Sequence, residues 1–479
     1  MKKNYLYNLV LSITNILFPI LSFPYASRIL GPAGIGKVQL SVTFAQYFGL
    51  IAALGIPIYG IQEVARYRHD KDKMSKVFSE LVSIYFITSV VVAIIYLILI
   101  STVPIFKINY GTYLYSGLIV LLGFTTLDWV YSGLEEYKII TIRSVVIKAI
   151  GLLLLYLFVN SKADIMPFLL ITIFSMMGNN LISLYYIRKR TNLIIRGMEL
   201  KRHLKPLFYI FATTMAASMY TYLDTILLGL LSNETSVGYY TAAIKLTKIA
   251  IPFITAAGFV FIPKFAIQTS NNNKDAVQEL LDKSWHYIVF FSVPISVGLF
   301  VLAKEFIIVF SGKAFEQAFP TMQLLSPLPF LIGLGYFFAF QVMVPMGKNK
   351  EMFYSVMIGM VISLILNFVL IPILRENGSA ITSVFTELVV SVMYLYYVNR
   401  LLNFKYQWKL VVNALISSLL FLPIAYLLRS LLTSETLVLI MGIVSCAICY
   451  FCIQHFVYKD SFVKQILADT INKFTNANK

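Results

Sequence analysis

The chain has 479 residues, of which 59% are hydrophobic and only 13% charged. Soluble globular proteins hold roughly 45–50% apolar and about 25% charged residues, so no water-soluble fold of this length hides that much apolar surface, and lipid must be its solvent. The formal net charge of +17 would point to nucleic acid on a soluble surface, but here the Lys and Arg cluster in short loops between apolar runs, where basic residues set membrane orientation.

A helix needs roughly 17–25 apolar residues to cross the hydrocarbon, and each span must be helical because its backbone polar groups find no water there. Fourteen segments qualify, near 5–27, 38–59, 77–101, 111–132, 143–160, 167–187, 207–231, 239–262, 285–303, 320–346, 352–374, 378–398, 410–429 and 436–457. Lys2-Lys3 ahead of the first run imitates a signal peptide. No A-x-A-like cleavage site follows, and the run continues to Ile29, so it reads as an uncleaved first span. With the N-terminus inside, 29 of the 39 Lys and Arg fall on the cytoplasmic side and 8 outside, while Lys245 and Lys248 lie within a span. This predicts a multi-pass protein of the cytoplasmic membrane with both termini inside.

Spans 1–6 and 7–12 have the same orientation, and Gly36-Lys37-Val38 and Gly238-Tyr239-Tyr240 open spans 2 and 8 at an offset of 202. Two like-oriented six-helix units form a parallel repeat, a plan that places substrate at the repeat interface. The expected organisation is an N-terminal six-helix bundle (1–187), a basic cytoplasmic linker (188–206), a C-terminal six-helix bundle (207–398), and two peripheral helices with a cytoplasmic tail (399–479). In that tail Phe462, Val463, Ile466, Leu467, Ile471 and Phe474 share one helical stripe, as in an interfacial helix. Ser270 to Lys274 reads as a flexible loop tip.

Charge is expensive in a span, at about 2.5–3.5 kcal/mol on insertion scales, so an ionisable residue there needs a partner, a wet cavity or a function. The span 7–8 hairpin turns at Ser232 to Thr235, and Asp224 and Lys245 lie eleven and ten residues from Thr235, at nearly equal depth. They either brace the hairpin as an ion pair or line a cavity separately. Lys248 lies one turn beyond Lys245 on the same face and is the better candidate for an anionic ligand. Glu387, near the middle of span 12, either pairs with a cation or relays protons or ions. Arg28 ends span 1, Asp128 and Lys148 lie nearer the cytoplasmic ends of spans 4 and 5, and Lys304-Glu305 is interfacial on the external side.

Cys446, Cys449 and Cys452 line one helical stripe without His or carboxylate neighbours, so neither a metal site nor a disulfide is expected. The sequence contains no P-loop, H-E-x-x-H or G-x-S-x-G motif, and its external loops are short. These features point to a transporter without a cofactor rather than an enzyme. Most of the 31 Tyr fit an interfacial belt.

Several stretches carry a family resemblance. Arg28-Ile29-Leu30-Gly31-Pro32 with Gly34-Ile35-Gly36, then Leu54 to Gly60 (LGIPIYG), resemble the first helical hairpin of Wzx-type polysaccharide flippases. These belong to the multidrug/oligosaccharidyl-lipid/polysaccharide exporter superfamily. Leu223-Asp224-Thr225, Val237 to Lys245 (VGYYTAAIK), Leu325 to Pro329 (LSPLP) and Pro345 to Lys350 (PMGKNK) extend the match, which spans residues 28 to 350. The resemblance implies an all-α membrane fold of two six-helix bundles around a central cavity, plus two peripheral helices. It implies a flippase that moves oligosaccharide on undecaprenyl diphosphate to the outer leaflet by ion-coupled alternating access, as in O-antigen or capsule synthesis. By the same analogy Arg28, Lys245 and Lys248 hold the diphosphate, while Glu387 and Asp224, as carboxylates at membrane depth, are the candidates for the coupling ion, and polysaccharide polymerase machinery is a candidate partner. Alternatives are a drug/cation antiporter or lipid II flippase of the same superfamily, and, from another class, a polysaccharide polymerase.

Overall fold

The computed structural model describes residues 2–194, 196–256, 258–270, 274–402, 406–460 and 462–464. Among them no strand occurs, in keeping with a lipid setting that leaves the backbone only its own helical partners. Among the described residues nine helices are long and apolar enough to cross a membrane, or up to eleven if each of two bent pairs is one span. The expected tail positions Ile466, Leu467, Ile471 and Phe474, and the loop tip Asn271 to Asn273, lie outside the described residues.

The chain folds as two compact units, Met1–Gly238 and Tyr239–Lys479. In the first, α1 (Lys2–Ala53) leads to α2 (Ile56–Tyr67), α3 (Lys71–Thr102), the short α4 (Pro104–Lys107) and α5 (Tyr110–Leu121). Then come α6 (Asp128–Gly133), α7 (Tyr137–Phe158), α8 (Ile165–Ile187), α9 (Lys201–Leu231) and the first turn of α10 (Glu234–Ile249). The central element is α1, which packs on α3, α5, α7 and α9. Where the sequence predicts an external loop, at 28–37, the chain stays helical apart from Gly31, whose φ of 68° only glycine adopts at little cost. A Cβ there would meet nothing within 4 Å, so this glycine serves backbone conformation rather than space. The next junction, Leu54–Gly55, also has positive φ, and Pro57 then starts α2 at a position whose missing N–H is harmless. Asp70 caps α3 by accepting from the Lys73 N–H at 3.1 Å, and Asp164 accepts from the N–H groups of Asn160 and Ser161 between α7 and α8.

The second unit contains α11 (Ile251–Thr255), α12 (Gly258–Ser270), α13 (Lys274–Val301), α14 (Ala303–Ser311), α15 (Phe319–Leu325) and α16 (Leu328–Tyr336). After a π-helical turn at Phe337–Met343 follow α17 (Asn349–Leu374), α18 (Glu376–Leu401), α19 (Trp408–Leu419), α20 (Phe421–Leu431) and α21 (Glu435–Phe456). Helix α13 is its spine, packed on α16 and α19, with Trp285 buried among Phe337, Phe338 and Tyr406. Helices α17 and α18 form a close pair through Gly359, where a Cβ would stand only 2.5 Å from Val390 Cγ2. Small residues give such membrane helix pairs their contact, because lipid offers no hydrophobic drive to associate. Ile98 on α3, Leu157 on α7 and Ile365 on α17 are exposed, suited to lipid.

Candidate functional site

Transporters commonly build their sites where a membrane helix is broken, since the freed backbone groups and half-helix ends meet ions and anions. Such breaks occur here at Gly31 in α1, between α5 and α6, and between the 313–325 and 328–343 segments. The latter two bends are 41° and 40°.

Arg28 lies one turn before the α1 break, exposed, with Nη1 donating to the Pro24 carbonyl at 3.2 Å. Asp224 is buried on α9 in the same unit. In the second unit Lys245 is half-buried and Lys248 exposed on α10, one helical turn apart, and Glu387 is half-buried on α18. The five sequence candidates are thus divided between the units: Arg28 and Asp224 in the first, Lys245, Lys248 and Glu387 in the second.

The α5–α6 break is lined by polar groups. Arg143 on α7, with only 3% of its side chain exposed, donates to the Asp128 carboxylate at the start of α6 and to the Ser183 hydroxyl on α8. Its guanidinium also lies over the Tyr131 ring, 4.8 Å from the centroid. Tyr131 in turn donates to the Ser183 carbonyl at 2.7 Å, and Asn180 Nδ2 donates to the hydroxyls of Thr125 and Thr126 at 2.8 and 3.2 Å. A charge this deep is tolerable because it is paired and hydrogen-bonded. Lys148 donates to Asn15 on α1.

A second buried network ties the first turn of α9, and Glu199 just before it, to α2 and α3. Glu80, wholly buried, accepts from the Glu199 N–H at 2.7 Å, from His203 Nε2 at 2.9 Å and from Arg202. The Tyr59 hydroxyl meets His203 Nδ1 at 2.9 Å, and Lys76 pairs with Glu199 at 2.6 Å. That hydrogen bond from the Lys76 ammonium holds the Glu199 carboxyl below its ordinary range. In the second unit, Glu305 is buried and holds Arg429 of α20 through Nε and Nη2 at 2.6 and 2.8 Å, while Lys304 pairs with Glu316. His286 meets Asp460 at 2.8 Å.

Sequence reasoning did not single out Arg143, Glu80, His203 or Arg429. Glu80 was findable as a carboxylate three residues into an apolar run; the other partners lie 15 to 124 positions from theirs, a pairing no local pattern encodes. Among the described residues no three His, Cys, Asp or Glu gather as a metal site would require. Cys446 is buried, Cys449 half-buried and Cys452 exposed on α21.

The profile of the family described as polysaccharide biosynthesis protein matches residues 1–267. The chain belongs to that family. A relative in Escherichia coli, named "Putative O-antigen transporter", is 26% identical over 84% of this chain and 98% of its own length. A Haloferax volcanii protein named "Probable low-salt glycan biosynthesis flippase" is 21% identical over 49% of this chain and 50% of its own. In fold, this polysaccharide biosynthesis family member is similar to a structure described as lipid II flippase MurJ in an inward closed conformation. The TM-score is 0.73 at 15% identity, covering 95% of this chain and 99% of that one. A multidrug resistance MATE family transporter of the MOP superfamily, inward-facing, follows at TM-score 0.62 and 16% identity, covering 80% and 94%. The family resemblance read from the motifs is therefore borne out, as is the all-α membrane fold. The relatives are transporters and flippases by name, in line with a transporter rather than an enzyme. The count of fourteen spans goes beyond the nine to eleven described.

Proposed function

We propose that this family member is a flippase that moves a lipid-linked oligosaccharide across the membrane for surface polysaccharide synthesis. The observation that carries the reading is the E. coli relative named as an O-antigen transporter, aligned over 98% of its own length, together with a fold like that of the lipid II flippase across 95% of this chain. The cargo in this reading is an oligosaccharide on undecaprenyl diphosphate, carried from the cytoplasmic to the outer leaflet of the cytoplasmic membrane. Both chain termini face the cytoplasm, following the 29-to-8 distribution of Lys and Arg.

Cationic Arg28, Lys245 and Lys248 suit a diphosphate, each offering N–H donors to anionic oxygens. Asp224 and Glu387 are the carboxylates for a coupling ion, since a carboxylate at membrane depth needs a cation or a proton. The polymerase that consumes the flipped glycan would act next, at the outer leaflet. The likeness to the drug transporter concerns fold alone and adds no second reading.

Deleting the gene tests the proposal. The expected result is accumulation of the complete lipid-linked oligosaccharide in the inner leaflet, with no surface polysaccharide. Normal surface polysaccharide in the deletion strain, or a lipid-linked glycan of altered length delivered to the outer leaflet, would refute it, the second outcome marking an enzyme.

A further inference from the structure

Gly36 and Gly238 occupy equivalent places in the two sequence repeats, and in the first unit they lie together. A Cβ on Gly36 would run into the Glu234 carbonyl and stand 2.7 Å from the Gly238 nitrogen. On Gly238, a Cβ would run into the Pro32 carbonyl and stand 2.9 Å from Pro32 Cα. The contact is reciprocal. Shifted by the same 202 positions, Pro32 corresponds to Glu234, so each glycine meets the repeat-mate of the other's partner. Reciprocal contact between equivalent patches is the signature of a two-fold relation. Backbone touches backbone here, a close approach that only glycine permits. Both glycines are buried, as are Ile35, Val38 and Ser236 beside them, and the Asn109 amide on the turn before α5 donates to the Glu234 carboxylate at the rim.

The joint of α1 lies one turn away, at Gly31–Pro32, where the helix is already broken and no neighbour crowds the glycine. A crossing of backbone on backbone, placed beside a ready-made bend, is where the two segments can part. We propose that Pro32–Gly36 and Glu234–Gly238 form a two-fold glycine latch that closes the external end of the first unit and opens by bending at Gly31 during each transport cycle. This rests on the flippase reading and on the orientation that charge asymmetry assigns.

The test uses the full-length chain with its three native cysteines replaced by serine. In Asn109→Cys/Glu234→Cys, oxidation should form an intramolecular cross-link and stop export of surface polysaccharide, and a reductant should restore it. Export that continues with the cross-link complete overturns the latch, and so does failure of the cross-link to form. A second arm does not depend on transport. Ser236→Cys should react slowly with an impermeant thiol reagent applied outside, and at least several-fold faster when Gly36→Ala is added, because the new methyl forces the crossing apart. Equal rates overturn the proposal even if the cysteine pair proves inactive when reduced. If the deletion strain shows no loss of glycan transport, the flippase reading fails, and the Ser236→Cys labelling rates alone decide whether the latch stands.

Discussion

Glu80 tests most directly whether buried polar networks hold the first unit together. Its carboxylate is fully buried and serves three donors: the Glu199 N–H, His203 Nε2 and Arg202. Arg202 keeps 40% of its side chain exposed, so its arm is screened and contributes about 0–1 kcal/mol, as exposed pairs do. The other two are hydrogen bonds to a buried charged acceptor, about 1.5–3 kcal/mol each. Glu80→Ala strips both and leaves His203, itself only 1% exposed, without its acceptor, so roughly 3–5 kcal/mol of unit stability should go. Glu80→Gln keeps one acceptor oxygen and should lose about half as much, by the per-bond range above. Thermal unfolding of purified protein in one detergent, followed by intrinsic fluorescence, gives the ranking. The apparent midpoint should fall in the order wild type, Glu80→Gln, Glu80→Ala. An unchanged midpoint in Glu80→Ala, or equal loss in both variants, would refute the reasoning.

Lys248→Ala should abolish export of surface polysaccharide at normal membrane abundance, and Lys248→Arg should retain part, since charge survives while geometry changes; full export by Lys248→Ala rules out the role. For Asp224 and Lys245, each single alanine variant should lower the folded protein in the membrane if the two groups pair, at about 3–5 kcal/mol each, and the double variant should recover it. Normal abundance of both singles means that they are separately solvated. Burial raises the Asp460 carboxyl, but hydrogen bonds from His286 and from the N–H groups of Phe462 and Val463 outweigh it and hold it below its ordinary 3.8. A depressed carboxylate stabilises fully above its unfolded value and loses that stabilisation as pH falls through the folded one, so the tie of α13 to Asp460, and of Asp460 to Phe462 and Val463, should survive to pH 3.8 and fail below it. Asp460→Asn should loosen it already at neutral pH, read as faster hydrogen exchange at Phe462 and Val463; unchanged exchange there disproves the tie.

Composition and periodicity alone determined the solvent of this protein and its helical class. Apolar run length and the cost of unpaired backbone groups in lipid leave no other fold. Motifs such as Arg28 to Gly36 and Val237 to Lys245 determined the family as well, because they concentrate the glycines and prolines that breaks and close crossings need. The tertiary structure decided what distance along the chain conceals. The sequence places a loop at 28–37, yet a single residue, Gly31, absorbs the change of direction and the helix resumes. Asp128 and Lys148 look like interfacial charges in one dimension, and only packing shows that the first neutralises a buried Arg143 while the second reaches Asn15. Glu80, His203 and Tyr59 come from three helices, and the pairing of Glu305 with Arg429 bridges 124 positions. Hydropathy records only the average affinity of a segment for lipid. Which polar side chain meets which is set by how the helices cross, and at Gly36 and Gly238 that crossing hangs on the absence of a single carbon atom.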